Sequence, residues 1–292
     1  MKQTDAVNSI ERNSDLVVAA VYEREIGASL ERVWENVHDW EHLPYLHSQA
    51  FHSISLIDSG DWGWRVTVEL ADGSQSKIEL IVDRDARRYV SRTLEGTGAS
   101  AEFWTSLDPL AEHKTAIRVE FCVPAMAEEV LRRYGKALVG LYTYLWTQDE
   151  DMMQTRTAAL VERRATPEPA DPAETISLGS IDDLSERLPF VIELGGHSFR
   201  VVEVDSEFKA HSTECPHRLG PLGDCAINDG IIACPWHGYQ FDVRTSRSSD
   251  GQSFRLRSPP QIEVDAATGS VIAHFEKTSS GISSRGDDHG SS

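Results

Sequence analysis

The most informative part of this 292-residue sequence is TECPHRLGPLGD (213–224), followed six residues later by IIACPWHGYQFD (231–242). Each run contains one cysteine and one histidine close together, as Cys215-x-His217 and Cys234-x-x-His237, with sixteen residues between the two pairs. Thiolates are soft, strongly donating ligands that suit iron, and imidazole binds the same class of metals. The spacing therefore predicts two short loops that each offer one thiolate and one imidazole to a metal centre.

Two kinds of metal site use such a ligand set. Zinc accepts two cysteines and two histidines, but the C-x-H spacing is shorter than the usual zinc-finger pattern. The two runs instead resemble the loops of the Rieske family. This resemblance implies a [2Fe–2S] cluster in which Cys215 and Cys234 hold the buried iron and His217 and His237 hold the outer iron. Other residues that share in the resemblance are Gly220, Leu222, Gly223, Gly238 and Phe241.

The class of Rieske protein follows from the cysteines around these loops. Rieske proteins of the respiratory-complex type carry two further cysteines that join the loops, whereas the corresponding neighbourhoods here are Leu219-Gly220 and Trp236. The resemblance is therefore to the lower-potential ferredoxin or oxygenase type. We expect an NAD(P)H-dependent reductase or a ferredoxin, rather than quinol, to supply its electrons.

The composition indicates a globular protein and excludes several classes of partner. Apolar residues make up 40% of the chain and charged residues 26%, which is the balance of an ordinary folded protein. The 47 acidic residues outnumber the 28 lysines and arginines, so the formal net charge is -19. Such a charge repels phosphate backbones and anionic membrane surfaces. We expect no nucleic-acid partner and no membrane partner.

The same features predict a cytoplasmic location. No stretch approaches the about 18 consecutive apolar residues of a membrane span, and the first residues lack the basic and apolar regions of a signal peptide. The four cysteines are Cys122, Cys215, Cys225 and Cys234. Two of them stand in short Cys/His pairs rather than at the spacings of a disulfide framework, which fits a reducing compartment.

Proline and small residues divide the chain into two predicted domains. Residues 165–180 combine three prolines with small and acidic residues and show no hydrophobic period, so we interpret them as a linker. A run of short strands between Gly, Asp and Pro turns follows over 181–276 and predicts a small all-β domain. The Ser/Gly-rich tail over 277–292 is expected to be disordered.

The region before the linker, residues 16–164, combines strands with amphipathic helices. A strand over 16–25 and a helix over 28–37 come first, short β-branched or aromatic runs then predict an antiparallel meander, and a helix over about 127–164 closes the region. This order resembles the helix-grip fold of the START/polyketide-cyclase superfamily, whose members enclose a ligand cavity. The predicted fold class is therefore α+β. The apolar stripe of the long helix comprises Tyr134, Leu138, Tyr142, Leu145, Met152 and Leu160.

A second metal site is suggested by WENVHDWEHLPYLH (34–47). Ring-hydroxylating Rieske oxygenases join a Rieske module to a helix-grip catalytic domain that binds a mononuclear iron, with the signature N-x2-D-x2-H-x4-H. Asn36, Asp39, His42 and His47 stand at this spacing. Two histidines and a carboxylate leave open positions on Fe(II) for dioxygen. Here, however, the Rieske module follows the helix-grip region, which reverses the order in oxygenase large subunits.

The carboxylate ligand should come from the long helix. Asp149 interrupts its apolar stripe, where a charge is costly unless it is paired or bound to a metal. Asp151 lies two residues further on and points away from that face. The resemblance also places Asp149 at the ligand position of the run QDEDMMQ (148–154). The alternative is that Asp39, Trp40 and Pro44 only determine the fold, as they do in helix-grip proteins without a metal.

The leading hypothesis is a Rieske non-haem iron oxygenase that hydroxylates or oxidatively cleaves a small apolar or aromatic substrate with dioxygen. The resemblance implies that Asp39 bridges His217 or His237 to His42, within the chain or across a subunit boundary, and that the protein forms a trimer or other homo-oligomer. One alternative is a ligand-binding electron carrier with a Rieske cluster and no mononuclear iron. Another is a cyclase-like enzyme with Asp39 and His42 as an acid/base pair.

Overall fold

The computed structural model describes residues 10–165 and 175–275. By its internal contacts the chain divides into two compact units. Within the described residues, the first unit comprises 10–163 together with Arg218–Gly220 and Cys234–Tyr239, and the second comprises the remainder. The predicted disordered tail over 277–292 lies outside the described residues.

The first unit is built on one antiparallel sheet of seven strands. Its spatial order is β1-β7-β6-β5-β4-β3-β2, so β1 alone departs from the simple meander by pairing with β7. Leu16 of β1 lies opposite Pro124, and a bulge between Val18 and Ala20 shifts the register. The strands are β1 (Leu16–Ile26), β2 (Phe51–Gly60), β3 (Gly63–Leu70), β4 (Gln75–Asp83), β5 (Arg88–Gly96), β6 (Glu102–Ala111) and β7 (Lys114–Pro124).

Three helices accompany this sheet, namely α1 (Leu30–His38), α2 (Leu43–Leu46) and α3 (Glu128–Ala165). Ser29 caps α1, because its hydroxyl accepts a hydrogen bond from the Arg32 amide at 3.2 Å. α3 spans 38 residues and approaches β1 closely at Gly135, where a Cβ would lie 2.4 Å from the Ala19 carbonyl oxygen. Only glycine permits this approach of helix to strand.

The core of the first unit lies between the sheet and the apolar faces of α1 and α3. Trp34 and Val37 of α1 meet Trp146 and Met153 of α3 in one buried cluster with the inward-facing residues of the strands. Burial of these large apolar side chains supplies most of the driving force for docking α3 on the sheet. The sheet wrapped on a long closing helix is the helix-grip arrangement, which confirms the predicted fold class.

The second unit is small and rich in β-structure. It contains three short antiparallel sheets, ordered β11-β10-β9, β12-β13-β14-β15 and β16-β17-β8, together with the helix α4 (Ile181–Arg187). Its hydrophobic core includes Leu184, Leu194, Phe199 and Val271. The strands are β8 (Thr175–Ser180), β9 (Phe190–Leu194), β10 (His197–Val204), β11 (Glu207–Ser212), β12 (Ile227–Asn228), β13 (Ile231–Ala233), β14 (Gln240–Asp242), β15 (Arg247–Ser248), β16 (Gln261–Val264) and β17 (Ser270–His274).

Two elements depart from what the sequence pattern indicates. Residues 165–180 are predicted to be a linker, but α3 extends to Ala165 and Thr175–Ser180 forms β8, which pairs with β17. The small and polar residues of β8 hide this pairing from a search for hydrophobic alternation. The strand β2 also shows no alternation of buried and exposed residues that would predict a strand, since almost all its side chains are exposed. Residues 166–174 of the predicted linker lie outside the described part of the chain.

α3 far exceeds the length of a membrane span, yet neither it nor any other described helix is apolar enough over that length to cross a bilayer.

Candidate iron centre and Rieske loops

The connection from α1 to β2 positions both predicted histidine ligands of the mononuclear site. α1 ends at His38, the chain turns at Asp39, and a 3₁₀ turn over Trp40–His42 leads into α2, which has Pro44 in its first turn. His42 therefore ends the 3₁₀ turn and His47 follows α2 directly. Both imidazoles are buried, with 3% and 1% of their surface exposed.

Asp149 of α3 meets the two histidines. Its Oδ1 lies 3.0 Å from His47 Nε2 and 3.4 Å from His42 Nε2. One ligand atom from each of the three residues falls within 4.8 Å of the others. Asp151 is exposed, as the helical spacing predicts, and takes no part in the group.

Neighbouring side chains hold this group in place. Gln148 Oε1 lies 2.9 Å from His47 Nδ1, and the Asn36 amide donates to Asp149 Oδ1 at 3.1 Å. An imidazole whose Nδ1–H donates to an acceptor presents the lone pair of Nε2. Once the Nε2 proton that faces Asp149 is lost, Gln148 would therefore hold His47 in the tautomer that binds a metal through Nε2. The sequence analysis did not identify Gln148. Its position directly before the predicted ligand Asp149 could have indicated that it lies beside the site.

The ionisation of Asp149 follows from these contacts. Burial by itself would raise its pKa, but the hydrogen bonds from His42 and His47 outweigh burial and hold the pKa of Asp149 well below its usual range. Burial acts against protonation of His47 as well, yet its hydrogen bond to Asp149 raises the pKa of His47. Asp149 is thus a carboxylate in a buried setting, which is the form that binds a metal cation.

Two imidazoles and one carboxylate fit an Fe(II) ion chemically, because this is the ligand set of non-haem iron sites with open positions. The buried Nδ1 of His42 makes no hydrogen bond within the described residues and lies 4.0 Å from Asp39 Oδ2. The roles of His42, His47 and Asp149 as metal ligands remain predictions.

Asp39 contacts one of the predicted cluster ligands. The segment Cys234–Tyr239 belongs to the first unit, and within this unit His237 Nε2 lies 2.9 Å from Asp39 Oδ2. Arg218 Nε lies 3.3 Å from the same oxygen. Asp39 is only 6% exposed. Its carboxylate therefore contacts His237 on one side and faces His42 on the other.

The pKa values at this contact are shifted in opposite directions. Burial would raise the pKa of Asp39, but the hydrogen bond from His237 and the positive charges nearby outweigh burial and lower it. Burial likewise opposes protonation of His237, and hydrogen bonds to Asp39 and Cys234 outweigh it, which raises the pKa of His237 to about 9. The contact with Cys234 brings a predicted thiolate ligand and a predicted imidazole ligand together.

The four predicted cluster ligands lie on two short, closed loops. In the first unit, Gly238 donates to the Cys234 carbonyl at 2.8 Å and closes the turn that carries Cys234 and His237. In the second unit, a bridge between Glu214 and Pro221 closes the loop that starts with Cys215 and His217. Cys215 and Cys234 are buried. Two thiols and two imidazoles fit a [2Fe–2S] centre with mixed ligands, and the individual ligand roles stay predictions.

A cluster of charges beside Asp39 was not expected from the sequence. Glu35 contacts Arg32, Arg156 and Arg218, with 3.0 Å from its Oε2 to Arg156 Nε. Arg156 also donates to the Arg218 carbonyl at 3.1 Å. These contacts hold the Arg218 backbone and guanidinium against the first unit. The sequence feature that could have indicated a role for Arg218 is its position directly after the predicted ligand His217.

A cavity of about 130 Å³ opens beside His42, His47 and Asp149. It lies within the first unit, and most of its wall is apolar or aromatic. Further residues that line it are Asn36, Val37, Asp39, Leu43, Phe51, Trp64, Val68, Ile78, Leu80, Tyr89, Ser91, Tyr142, Leu145 and Trp146.

Several curated proteins are similar to part of this chain. Apoptosis-inducing factor 3 of Mus musculus is 32% identical over 92 residues, which cover 30% of this chain and 15% of that protein. The ferredoxin component of the alkene monooxygenase system of Xanthobacter autotrophicus is 28% identical over 91 residues, or 31% of this chain and 75% of that protein. The oxygenase component of dicamba O-demethylase of Stenotrophomonas maltophilia is 37% identical over 59 residues, or 18% of this chain and 17% of that protein. The chain thus spans less than a fifth of the first and third relatives.

Two solved structures are similar to part of this chain. A START superfamily protein from Mycobacterium smegmatis covers 46% of this chain and 97% of its own, with 17% identity and a TM-score of 0.39. The ferredoxin of carbazole 1,9a-dioxygenase from Nocardioides aromaticivorans IC177 covers 35% of this chain and 98% of its own, with 22% identity and a TM-score of 0.30.

The family model that matches the sequence is described as the Rieske [2Fe-2S] domain, and the match covers residues 174–260. Its first residue immediately precedes β8, so the strand within the predicted linker belongs to the matched region. The chain therefore carries a Rieske [2Fe–2S] electron-transfer domain over residues 174–260, after an N-terminal region with the helix-grip fold.

Proposed function

We propose that this protein is a Rieske-type non-haem iron oxygenase, in which His42, His47 and Asp149 hold an Fe(II) ion and Cys215, His217, Cys234 and His237 hold the cluster. The substrate is a small apolar or aromatic molecule bound in the cavity beside His42. Electrons come from NAD(P)H through a separate reductase or ferredoxin. The location is a reducing compartment, namely the cytoplasm.

The observation that carries this proposal is the position of Asp39. Its Oδ2 lies 2.9 Å from His237 Nε2 and 4.0 Å from His42 Nδ1. One buried carboxylate thus stands between a predicted cluster ligand and a predicted iron ligand inside one chain. An electron-transfer bridge needs such short contacts, whereas a carrier without a second metal has no use for them. Within the chain, this contact favours His237 over His217 as the histidine that Asp39 contacts.

When bound, the cluster supplies single electrons and the Fe(II) ion supplies activation of dioxygen. Asp39 accepts a hydrogen bond from His237 Nε2–H, so the lone pair of His237 is on Nδ1 and is available for the cluster. Arg218 balances the negative charge of Asp39. Gln148 and Asn36 orient His47 and Asp149, and the aromatic walls of the cavity exclude water from the substrate.

The overall reaction balances as a monooxygenation. One oxygen atom of dioxygen enters a C–H bond of the substrate as a hydroxyl group, and the other leaves as water. Two electrons from NAD(P)H and two protons complete the equation. Oxidative cleavage, such as loss of a carbon group from an ether, follows from the same insertion next to oxygen. We retain a trimer or other homo-oligomer as the proposed assembly.

A second candidate is an electron carrier that binds a ligand and has no mononuclear iron. The similarity to a ferredoxin component favours it. Metal content separates the two candidates, because the oxygenase requires about three iron ions for every two acid-labile sulfides, and the carrier about two.

The test measures iron, sulfide and substrate-dependent oxygen uptake for the full-length protein loaded with Fe(II) under anaerobic conditions. In the double variant His42→Ala/His47→Ala, we expect iron to fall from about three to about two per chain while sulfide is unchanged. The matched control is His52→Ala/His113→Ala, since both of these histidines are exposed. Iron near two per chain in the unaltered protein, or an unchanged value in the double variant, would contradict the proposal.

A further inference from the structure

We infer that Tyr239 and Glu41 are positioning residues for the contact between Asp39 and His237. Their hydrogen bond holds the turn of the predicted cluster ligand His237 against the turn of the predicted iron ligand His42. The inference rests on the proposed function for the ligand roles of the two histidines. It is carried by contacts within the first unit.

The segment 39–47 contacts both predicted metal centres. Its two histidines lie against Asp149. Three of its other side chains contact the turn Cys234–Tyr239, which belongs to the same unit, and these are Asp39, Glu41 and Tyr45. The position of this turn against the segment therefore determines how the predicted cluster ligand His237 meets Asp39.

The hydrogen bond between Tyr239 and Glu41 joins the two ligand-bearing turns directly. The Tyr239 hydroxyl donates to Glu41 Oε2 at 2.8 Å, and both side chains are half-buried. Glu41 immediately precedes His42 in the 3₁₀ turn, and Tyr239 follows His237 by two residues. A hydrogen bond to a carboxylate is stronger than one between neutral groups. This bond therefore connects the turns at a point separate from the Asp39 contact.

Packing on both sides of Gly238 supports the same turn. The Tyr239 and His237 rings are nearly parallel, at 21°, with 6.1 Å between their centroids. Gly238 has a φ of +68° and lies so close to the Tyr45 ring that a Cβ would overlap it. These packing contacts restrict how near the turn lies, and the directional hydrogen bond to Glu41 restricts its sideways displacement.

Asp39 alone is a weak anchor for the turn, because its carboxylate is shared. The same Oδ2 lies 2.9 Å from His237 Nε2 and 3.3 Å from Arg218 Nε. Glu41, in contrast, has Tyr239 as its one hydrogen-bond partner within the described residues. Without the Tyr239 bond, Asp39 could keep its ion pair with Arg218 while His237 moves away. The undivided Glu41 contact is thus what protects the shared one.

The test measures the midpoint potential of the cluster in the full-length holoprotein, by redox titration without dioxygen. A histidine ligand that donates to a carboxylate is a stronger electron donor to its metal, which favours the oxidised cluster. We therefore expect Tyr239→Phe, which keeps the ring and removes the hydroxyl, to raise the potential, as Asp39→Asn does. Tyr144→Phe on α3 is the matched control, since Tyr144 belongs to neither turn. An unchanged potential in Tyr239→Phe would overturn the inference.

A double variant shows whether Tyr239 acts through Asp39. In the Asp39→Asn background, Tyr239→Phe should add less than about half of the shift that it causes alone, because residues that share one contact are not additive. A full additional shift would mean that Tyr239 acts independently of Asp39, which overturns the inference.

Two substitutions at Glu41 separate its hydrogen bond from its charge. Glu41→Gln and Glu41→Leu remove the same charge, but only glutamine keeps an acceptor oxygen. We expect the leucine variant to raise the potential further than the glutamine variant. Equal shifts would assign the effect to the charge and contradict a positioning role. This pair also carries the test if Tyr239→Phe lowers the sulfide content, because it alters no residue of the cluster loops.

The outcome is separable from that of the proposed function, because the potential depends on the cluster and needs no mononuclear iron. A protein with about two iron ions per chain in which Tyr239→Phe raises the potential would lose the oxygenase assignment and keep the role of the hydrogen bond in positioning His237. A protein with about three iron ions and an unchanged potential would keep the assignment and lose the inference.

Discussion

Asp39 is the residue on which electron flow should depend. We predict that Asp39→Asn, which keeps the size of the side chain and removes its charge, slows oxidation of the reduced cluster by dioxygen plus substrate at least tenfold, as is common for residues that orient metal ligands. Iron and sulfide contents should stay the same. Single-turnover stopped-flow absorbance of the cluster measures the rate.

Asp58→Asn is the matched control for this change, because Asp58 is exposed on β2 and belongs to neither predicted ligand set. It should oxidise at the rate of the unaltered protein. If Asp39→Asn also oxidised at that rate with full metal content, Asp39 would not connect the two centres.

His211 gives the second unit a predicted sensitivity to acid. It is fully buried in β11, where Nδ1 contacts the Ser212 carbonyl at 2.9 Å and Nε2 has no hydrogen-bond partner within the described residues. Burial lowers the pKa of His211, with the Ser212 carbonyl acting against this shift and the charge of Arg200 adding to it. The unfolded chain therefore binds a proton, at about pH 6.5, before the folded chain does.

Stability should accordingly fall as the pH falls below about 6.5, by about 1.4 kcal/mol for each pH unit between the two pKa values. We predict that the melting temperature drops less between pH 7.5 and pH 5.5 in His211→Gln than in the unaltered protein. Differential scanning calorimetry makes the comparison, with exposed His113→Gln as the control. Parallel curves for His211→Gln and the unaltered protein would exclude His211 as the sensitive group.

The Rieske loops depend on a close approach at Gly220. A Cβ at Gly220 would lie 2.7 Å from Cys234 Sγ and 3.2 Å from the nearest Trp236 ring carbons. We predict that Gly220→Ala displaces Cys234 and lowers acid-labile sulfide per chain to about half or less, as overpacking at a buried site forces neighbours to move.

Gly223→Ala tests the same substitution three positions away, where the nearest atom to a Cβ is Thr213 Cγ2 at 3.6 Å. This is an ordinary contact, so its sulfide content and visible spectrum should match those of the unaltered protein. Full sulfide content in Gly220→Ala would mean that the loop adapts without moving the thiolate.

Helices and strands with a clear hydrophobic period could be predicted from the sequence. Elements that are defined only by the strand or side chain they contact could not. Asp149 could be found because a carboxylate interrupts an apolar stripe at a position that α3 buries. β8 could not, because its residues acquire their role only through pairing with β17. Gln148 and Arg218 were missed for a related reason, since their proposed roles depend on contacts with His47 and Asp39 that no local pattern encodes.

At the scale of the whole molecule, the two predicted domains differ from the two observed units in the place of two loop segments as well as in the linker. Sequence order assigns Arg218–Gly220 and Cys234–Tyr239 to the Rieske domain, whereas their contacts assign both segments to the first unit. The segments carry Arg218 and His237, which contact Asp39. A linker in the sequence shows where a chain divides, but only tertiary contacts show which surface a loop joins.

The net charge of -19 should govern how small reductants reach the cluster. Long-range repulsion slows an anionic reductant at low salt, and salt removes this effect as the screening length falls from about 30 Å at 0.01 M to about 10 Å at 0.1 M. We predict that added salt speeds reduction by dithionite at least twofold and slows reduction by the methyl viologen radical cation. Stopped-flow absorbance of the cluster between about 0.01 M and about 0.3 M NaCl measures both rates.

Each reductant is the control for the other, because a salt effect on the cluster itself would move both rates in the same direction. Slopes of the predicted opposite signs therefore isolate the electrostatic field that the net charge creates. Equal slopes would show that salt acts on the cluster itself, and opposite slopes of reversed sign would show that charges local to the cluster loops, rather than the net charge, set the approach.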